Sequence, residues 1–126
     1  MKRLAFALVL LAVVACNRDE ASKSITPSAP APAGNATRGK ELAAQYGCNV
    51  CHAIPGIDGP EGSLGPSLAG VGSRPALSFN TVQNTPQNLA KFIQDPAALN
   101  PQSSMPPIGL TDVDAQDIAA YLLTLK

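Results

Sequence analysis

The sequence predicts an all-α domain with long connecting loops, and two observations support that prediction. Apolar residues repeat at the spacing of a buried helix face in two segments: Leu89, Phe92 and Ile93 in one, and Ile118, Tyr121, Leu122 and Leu125 in the other. The stretches 54–75 and 100–109 are rich in glycine and proline and do not alternate as strands do. Loops this long in a small domain generally serve a function.

The first helix is expected to follow Thr37 as its N-cap and to run to Gly47. Gly39, Ala43 and Gly47 recur at every fourth position, so they share one helical face. Small residues there permit close approach of a second backbone. The alternative is that they are only helix fillers.

The second and third helices have clear start signals. Thr85 is the expected N-cap of the second, with Pro86 at the first helical position, where its missing N–H costs nothing. Pro96 ends that helix. Thr111 is expected to cap the third helix, and Asp114 stands at the reciprocal capping position.

The most specific motif is Cys-Asn-Val-Cys-His at positions 48–52. Two thiols three positions apart, followed directly by an imidazole, are typical of a c-type haem attachment site. Cys48 and Cys51 would each form a thioether with the haem, and His52 would be an axial ligand of the iron. His52 is the only histidine, and Met105 is the only methionine after the initiator. The two residues therefore predict the His/Met ligation of an electron-transfer haem.

Other interpretations of the motif fit less well. A structural zinc site needs four nitrogen or sulfur ligands, and the third cysteine is far away near the N-terminus. A thioredoxin-like redox motif needs a preceding strand, and none is indicated before Cys48. A disulfide between Cys48 and Cys51 would leave His52 without a role.

The N-terminus predicts export and lipidation. Residues 1–3 are Met-Lys-Arg, and residues 4–14 form an apolar run that is too short to span a bilayer but suits a signal peptide. The following Val-Val-Ala-Cys resembles the lipobox of bacterial lipoproteins, so cleavage would remove residues 1–15 and leave Cys16 acylated. Multiple acyl chains give stable anchoring, which predicts a location on the periplasmic side of a bacterial membrane. The alternative is an ordinary secretory signal with a chance cysteine.

Residues 16–36 are expected to be the lipidated cysteine and a flexible linker rich in Pro, Ala and Ser. Residues 37–126 would then form the folded domain. A domain of this size has a thin core, to which one buried haem would add much apolar interior. Lipid on Cys16 and haem on Cys48 and Cys51 would account for all three cysteines. The domain has no basic stripe, so nucleic acid is not an expected partner.

The domain as a whole resembles class I cytochrome c. The matching positions extend over nearly its full length: Gly39, the attachment motif 47–52, Gly65-Pro66-Ser67-Leu68, Arg74, Met105-Pro106, and 118–122. The resemblance implies three main helices and long loops around one covalent haem c. The domain departs from many members in having no tryptophan and in carrying Ala43 where an aromatic residue is common.

The same resemblance assigns two further cofactor-binding residues. It implies that the Pro66 carbonyl accepts a hydrogen bond from the Nδ1–H of His52, which fixes the ring and raises its basicity. It also places Arg74 near a haem propionate. The alternative for Arg74 is a solvated loop charge.

Residues 84–96, together with Met105-Pro106-Pro107, are similar to the cytochrome c domain fused to subunit II of some haem–copper oxidases. This similarity implies a terminal haem–copper oxidase as electron acceptor. Quinol–cytochrome c oxidoreductase or a periplasmic dehydrogenase is the expected donor.

The sequence therefore predicts a membrane-anchored periplasmic carrier that moves one electron at a time through a His/Met-ligated haem c and is not an enzyme. One alternative is the cytochrome c subunit of an oxidase or periplasmic dehydrogenase complex. Another is a small peroxidase, which would require Met105 not to bind the iron and would lack a distal histidine.

Overall fold

The structure is a computed structural model that describes residues 33–126. The helices in that range are α1 (Ala36–Gln45), α2 (Cys48–Cys51), α3 (Pro86–Gln94), α4 (Pro96–Leu99) and α5 (Asp112–Leu122). They are joined by a 3₁₀ turn (Val71–Ser73) and a hairpin of β1 (Ala76–Leu77) and β2 (Val82–Gln83). The predicted helical fold class is confirmed, with α1, α3 and α5 as the main helices.

The predicted signal peptide 1–15, the lipidation site Cys16 and most of the linker 16–36 lie outside the described residues. Within residues 33–126, none of the helices combines the length and the apolar character needed to cross a membrane.

The crossing of α1 and α5 forms the centre of the fold. A β carbon at Gly39 would lie 1.8 Å from the carbonyl oxygen of Asp117, so only glycine permits this approach. Ala43, one turn further along, is completely buried. Gly39 and Ala43 of the predicted small-residue face thus serve packing and are not chance helix fillers, but α1 ends at Gln45 and not at Gly47 as predicted. Gly47 lies beyond α1, where its left-handed φ of 70° turns the chain into α2.

The start of α1 differs from the expectation. Asn35, not Thr37, is the N-cap, since its side chain accepts a hydrogen bond from the backbone N–H of Arg38. The backbone N–H of Asn35 also donates to Asp117 Oδ1 over 2.6 Å. Both residues are good caps, and this tertiary contact with α5 favours the earlier one.

The starts of α3 and α5 are confirmed. Thr85 Oγ1 accepts from the backbone N–H of Asn88 at 3.1 Å, with Pro86 at the first helical position. Thr111 Oγ1 accepts from the backbone N–H of Asp114 at 3.2 Å. The reciprocal bond from the Thr111 N–H to Asp114 is not formed, because the Asp114 carboxylate accepts from Arg38 and Tyr46 instead.

The predicted apolar stripes lie mostly in the core, but Phe92 and Leu125 are only half-buried. Leu89 and Ile93 of α3 are buried, as are Ile118, Tyr121 and Leu122 of α5. The remaining buried apolar residues of the described range come from α1, α3, α5, the loops and the hairpin: Leu42, Ala43, Ile54, Val71, Leu77, Val82, Ala90, Leu110, Ala115 and Ala119.

The hairpin is an element that the sequence did not predict. Ala76 pairs with Gln83 and Leu77 with Val82 in antiparallel register. Two residues per strand are too few to show alternation. Ser78, Phe79 and Asn80 form the connection with left-handed φ angles of 46°, 57° and 65°.

Candidate functional site

The two thiols lie on the single turn of α2. Cys48 and Cys51 are three residues apart, so their side chains project from the same face of the helix. Both are free and half-buried. Burial raises the pKa of the Cys48 thiol. The pair is therefore arranged to bond one ligand at two points.

His52 directly follows this turn in an extended conformation, with φ −120° and ψ 139°. Its Nδ1 lies 2.8 Å from the carbonyl oxygen of Pro66. Because a carbonyl can only accept, Nδ1 must carry the proton in this contact. In the neutral imidazole, Nε2 then keeps its lone pair, which is the form that binds a metal.

The loop that contains Pro66 is bound to the attachment segment through backbone hydrogen bonds. The N–H of Gly62 donates to the carbonyl of Asn49 at 2.9 Å, and the N–H of Gly65 donates to that of Cys51 at 2.8 Å. A β carbon at Gly65 would lie 2.2 Å from Cε1 of His52. Only glycine therefore fits against the imidazole ring at this position, a requirement that the sequence analysis did not identify.

Arg74 hydrogen-bonds to the loop that contains Pro66. Its Nη2 donates to the carbonyl oxygens of Ser67, at 2.6 Å, and Ala69, at 3.0 Å. The side chain is thus engaged with the protein and is not simply a solvated charge. Its expected contact with a haem propionate stays a prediction.

Met105 lies on the separate loop between α4 and α5. It is half-buried and packs against the hydrophobic core, and its backbone N–H is 3.3 Å from Ser103 Oγ. The structure thus joins Cys48, Cys51, His52, Pro66 and Arg74 through one continuous loop network, whereas Met105 approaches from another segment.

A charged cluster at the α1–α5 junction was not predicted. The Arg38 guanidinium forms ion pairs with Asp114 and Asp117 of α5, whose side chains are nearly buried. The Tyr46 hydroxyl is 3.2 Å from Asp114 Oδ2. Hydrogen bonding by Thr111 and, after it, by Arg38 lowers the pKa of Asp114. Two aspartates three residues apart on a buried helix face were the signal that could have revealed a basic partner.

Tyr121 connects α5 to the segment after His52. Its hydroxyl donates to the Pro55 carbonyl at 2.7 Å, which explains why a tyrosine occupies a core position. The sequence placed Tyr121 correctly in the apolar stripe but did not assign this hydrogen bond.

The donor set suits a covalently attached haem. Two thiols on one helical face can form thioethers, and the Nδ1–Pro66 contact of His52 leaves Nε2 as the ring nitrogen that can bind a metal. Met105 offers a soft thioether sulfur on a second loop. Among residues 33–126, no three histidine, cysteine, aspartate or glutamate side chains are grouped as a metal-ion site.

Comparison with known proteins agrees with this chemistry. The family model for cytochrome c matches residues 36–126. Subunit 2 of cytochrome c oxidase from Alkalihalophilus pseudofirmus is 28% identical over 92 residues, which are 72% of this chain and 26% of that protein. The chain thus spans about a quarter of the length of this relative.

A solved structure shows the same fold. Cytochrome c2 from Rhodobacter capsulatus superposes with a TM-score of 0.52 at 23% identity, over 71% of this chain and 96% of that one. The match covers nearly the whole of cytochrome c2 and supports the assignment of the helices around the attachment site.

Proposed function

Because the chain belongs to the cytochrome c family and carries haem c bound at Cys48 and Cys51, we propose that it is a membrane-anchored periplasmic electron carrier. It transfers one electron at a time and performs no catalysis of its own. Its acceptor is a terminal haem–copper oxidase. The observation that supports electron transfer most directly is the contact of His52 Nδ1 with Pro66.

His52 and Met105 are the residues that would hold the haem iron. The Pro66 carbonyl orients the imidazole and makes Nε2 a stronger donor. Haem c supplies a one-electron couple when bound, and a methionine ligand raises its potential. Two protein ligands that stay bound in both oxidation states keep structural change small during transfer. These properties suit a carrier near the high-potential end of a respiratory chain.

Ligation is tested by Met105→Ala, with Ser104→Ala as a neighbouring control in the same loop. We expect Met105→Ala to lower the reduction potential and to abolish the weak near-infrared sulfur-to-iron band. The control should retain both. Survival of the band and the potential in Met105→Ala would exclude Met105 as ligand.

The proposed partner and anchor rest on the sequence and on the relative. Similarity to an oxidase subunit 2 supports an oxidase as acceptor, with quinol–cytochrome c oxidoreductase or a periplasmic dehydrogenase as donor. The lipobox-like segment supports an acyl anchor on Cys16. With few lysines for electrostatic steering, confinement to the membrane surface would raise the effective concentration of the carrier.

The anchor and the acceptor are tested together with Cys16→Ser behind an ordinary cleavable signal. The variant should be released from the membrane with an unchanged visible spectrum. It should need a much higher concentration than the tethered form for equal oxidation by isolated membranes in stopped flow. Membrane retention of the variant would contradict lipidation, and no oxidation of either form would contradict the oxidase assignment.

A second candidate is favoured by the same relative: a cytochrome c subunit held permanently in an oxidase or dehydrogenase complex. Purification from detergent-solubilised membranes separates the two. A freely diffusing carrier should elute alone, whereas a subunit should remain with its complex at stoichiometric haem content.

A further inference from the structure

Asn84 lies between β2 and α3 and makes three hydrogen bonds to one short segment. Its Nδ2 donates to the carbonyl oxygens of Val71 and Arg74, both at 2.8 Å. Its backbone N–H donates to the carbonyl of Pro75 at 3.1 Å. Asn84 therefore ties the hairpin to the turn that carries Arg74.

The opposite end of this amide has no partner. Asn84 Oδ1 is shielded from solvent and accepts no hydrogen bond from any residue in the described range. Exchanging the amide oxygen and nitrogen would bring an oxygen against two carbonyls, so the two donor contacts determine the orientation. A buried acceptor without a donor is unfavourable. The contribution of Asn84 therefore lies in the two hydrogen bonds that its Nδ2 donates to the carbonyls of Val71 and Arg74.

The held segment leads directly to the haem ligand. Arg74, whose carbonyl accepts from Asn84, donates through Nη2 to the carbonyls of Ser67 and Ala69. Ser67 follows Pro66, whose carbonyl accepts from His52 Nδ1. Each of these hydrogen bonds joins a side-chain donor to a main-chain carbonyl. Each one therefore fixes the path of the backbone rather than the conformation of another side chain.

We propose that Asn84 is a positioning residue for His52: it anchors the 71–75 turn, and through Arg74 it keeps the Pro66 carbonyl in hydrogen-bonding position. The inference rests on the proposed role of His52 as axial ligand. A loosened Pro66 contact makes the imidazole a weaker donor, which stabilises ferric iron less and raises the reduction potential.

The test replaces Asn84 with leucine, which has a similar size and cannot donate. The matched control is Asn88→Leu, since the Asn88 amide donates to the Gln83 carbonyl at 3.0 Å and contacts no part of the 66–74 loop through a side-chain hydrogen bond. Both haem-loaded variants are measured by redox titration and by NMR exchange of the His52 Nδ1 proton in the reduced protein.

We expect Asn84→Leu to raise the reduction potential by about 28 mV, which for one electron is about a threefold change in the redox equilibrium constant. The His52 Nδ1 proton should exchange several-fold faster than in the parent protein. Asn88→Leu should leave both values unchanged. Asn84→Gln, which keeps an amide but moves it by one methylene, serves if the leucine variant does not fold and should shift both values in the same direction.

Lower thermal stability with an unchanged potential and unchanged proton exchange would overturn the proposal, since it would reduce Asn84 to a purely structural residue. Failure of the proposed function is distinguishable, because it would show in the parent protein as loss of the low-spin spectrum or of a reversible one-electron couple.

Discussion

The α1–α5 junction and the loop around His52 are held together in different ways. At the junction, two long helices meet through Gly39 and the ion pairs of Arg38. At the loop, Gly65 lies against the His52 ring, the Pro66 carbonyl accepts from His52 Nδ1, and main-chain hydrogen bonds hold the neighbouring residues. The junction is formed by protein residues alone, whereas the loop is hydrogen-bonded to the segment that carries the haem attachment site. We therefore expect substitutions at the junction to alter mainly stability and substitutions in the loop to alter mainly redox properties, whereas loss of the haem itself alters both.

The largest effect should come from removing the attachment points. Replacing Cys48 and Cys51 together by alanine should abolish covalent haem and leave a chain that does not fold stably, because the thin core loses its largest apolar component. Acid–acetone extraction should release no haem from the parent protein. Circular dichroism of the variant should show loss of cooperative unfolding.

The same variant tests whether the α1–α5 junction depends on haem. If the junction is independent of haem, residual helix in the variant should come from α1 and α5, with the 54–75 loop most sensitive to protease. A variant that unfolds cooperatively at the parent temperature would show that haem contributes little to the core.

The next effect is confined to the junction. Gly39→Ala should destabilise the holoprotein by about 1–3 kcal/mol, because the new methyl group forces the helices apart. Helix propensity alone would make the same change stabilising by about 1 kcal/mol, so the sign of the result is diagnostic. Denaturant unfolding measures it. The visible spectrum should not change, and a stabilised variant would contradict the close crossing.

The smallest effect on stability should arise at the loop. Gly65→Ala places a methyl group against the His52 ring and should shift the reduction potential and the Soret band while costing about 1–2 kcal/mol. Gly70→Ala is the control, because a β carbon there would meet nothing within 4 Å. Alanine at this left-handed φ of 66° would be strained. The reduction potential and Soret band of the Gly70→Ala variant should nevertheless match those of the parent protein. Equal potentials in the two variants would contradict direct contact with the ring.

The sequence predicted the regular parts of this fold because their signals are local. Thr85 with Pro86, and Thr111, mark helix starts through neighbours within one turn. The start of α1 was placed at Thr37 instead of Asn35, since both residues can cap and the choice depends on Asp117, which is distant in sequence. The hairpin at 76–83 was missed for a similar reason: its strands are too short to show a period.

The candidate site was predicted as a set of residues but not as a network. The attachment motif indicates haem attachment because it places two thiols and an imidazole at the spacing that this chemistry needs. The resemblance to class I cytochrome c added Pro66, and the structure shows its carbonyl beside His52. The roles of Gly65 and Asn84 depend on main-chain positions brought together by folding, and no side-chain pattern encodes them. The pairing of Arg38 with Asp117, 79 residues apart, was equally beyond local patterns.

The group that hydrogen-bonds to His52 Nδ1 affects whether a proton moves together with the electron. A carboxylate in that place could take up the ring proton when the charge of the iron changes. The Pro66 carbonyl is an amide oxygen and is not protonated in the physiological range. At His52, the proposed carrier would therefore accept and release an electron without an accompanying proton, and this contact would give its reduction potential no dependence on pH.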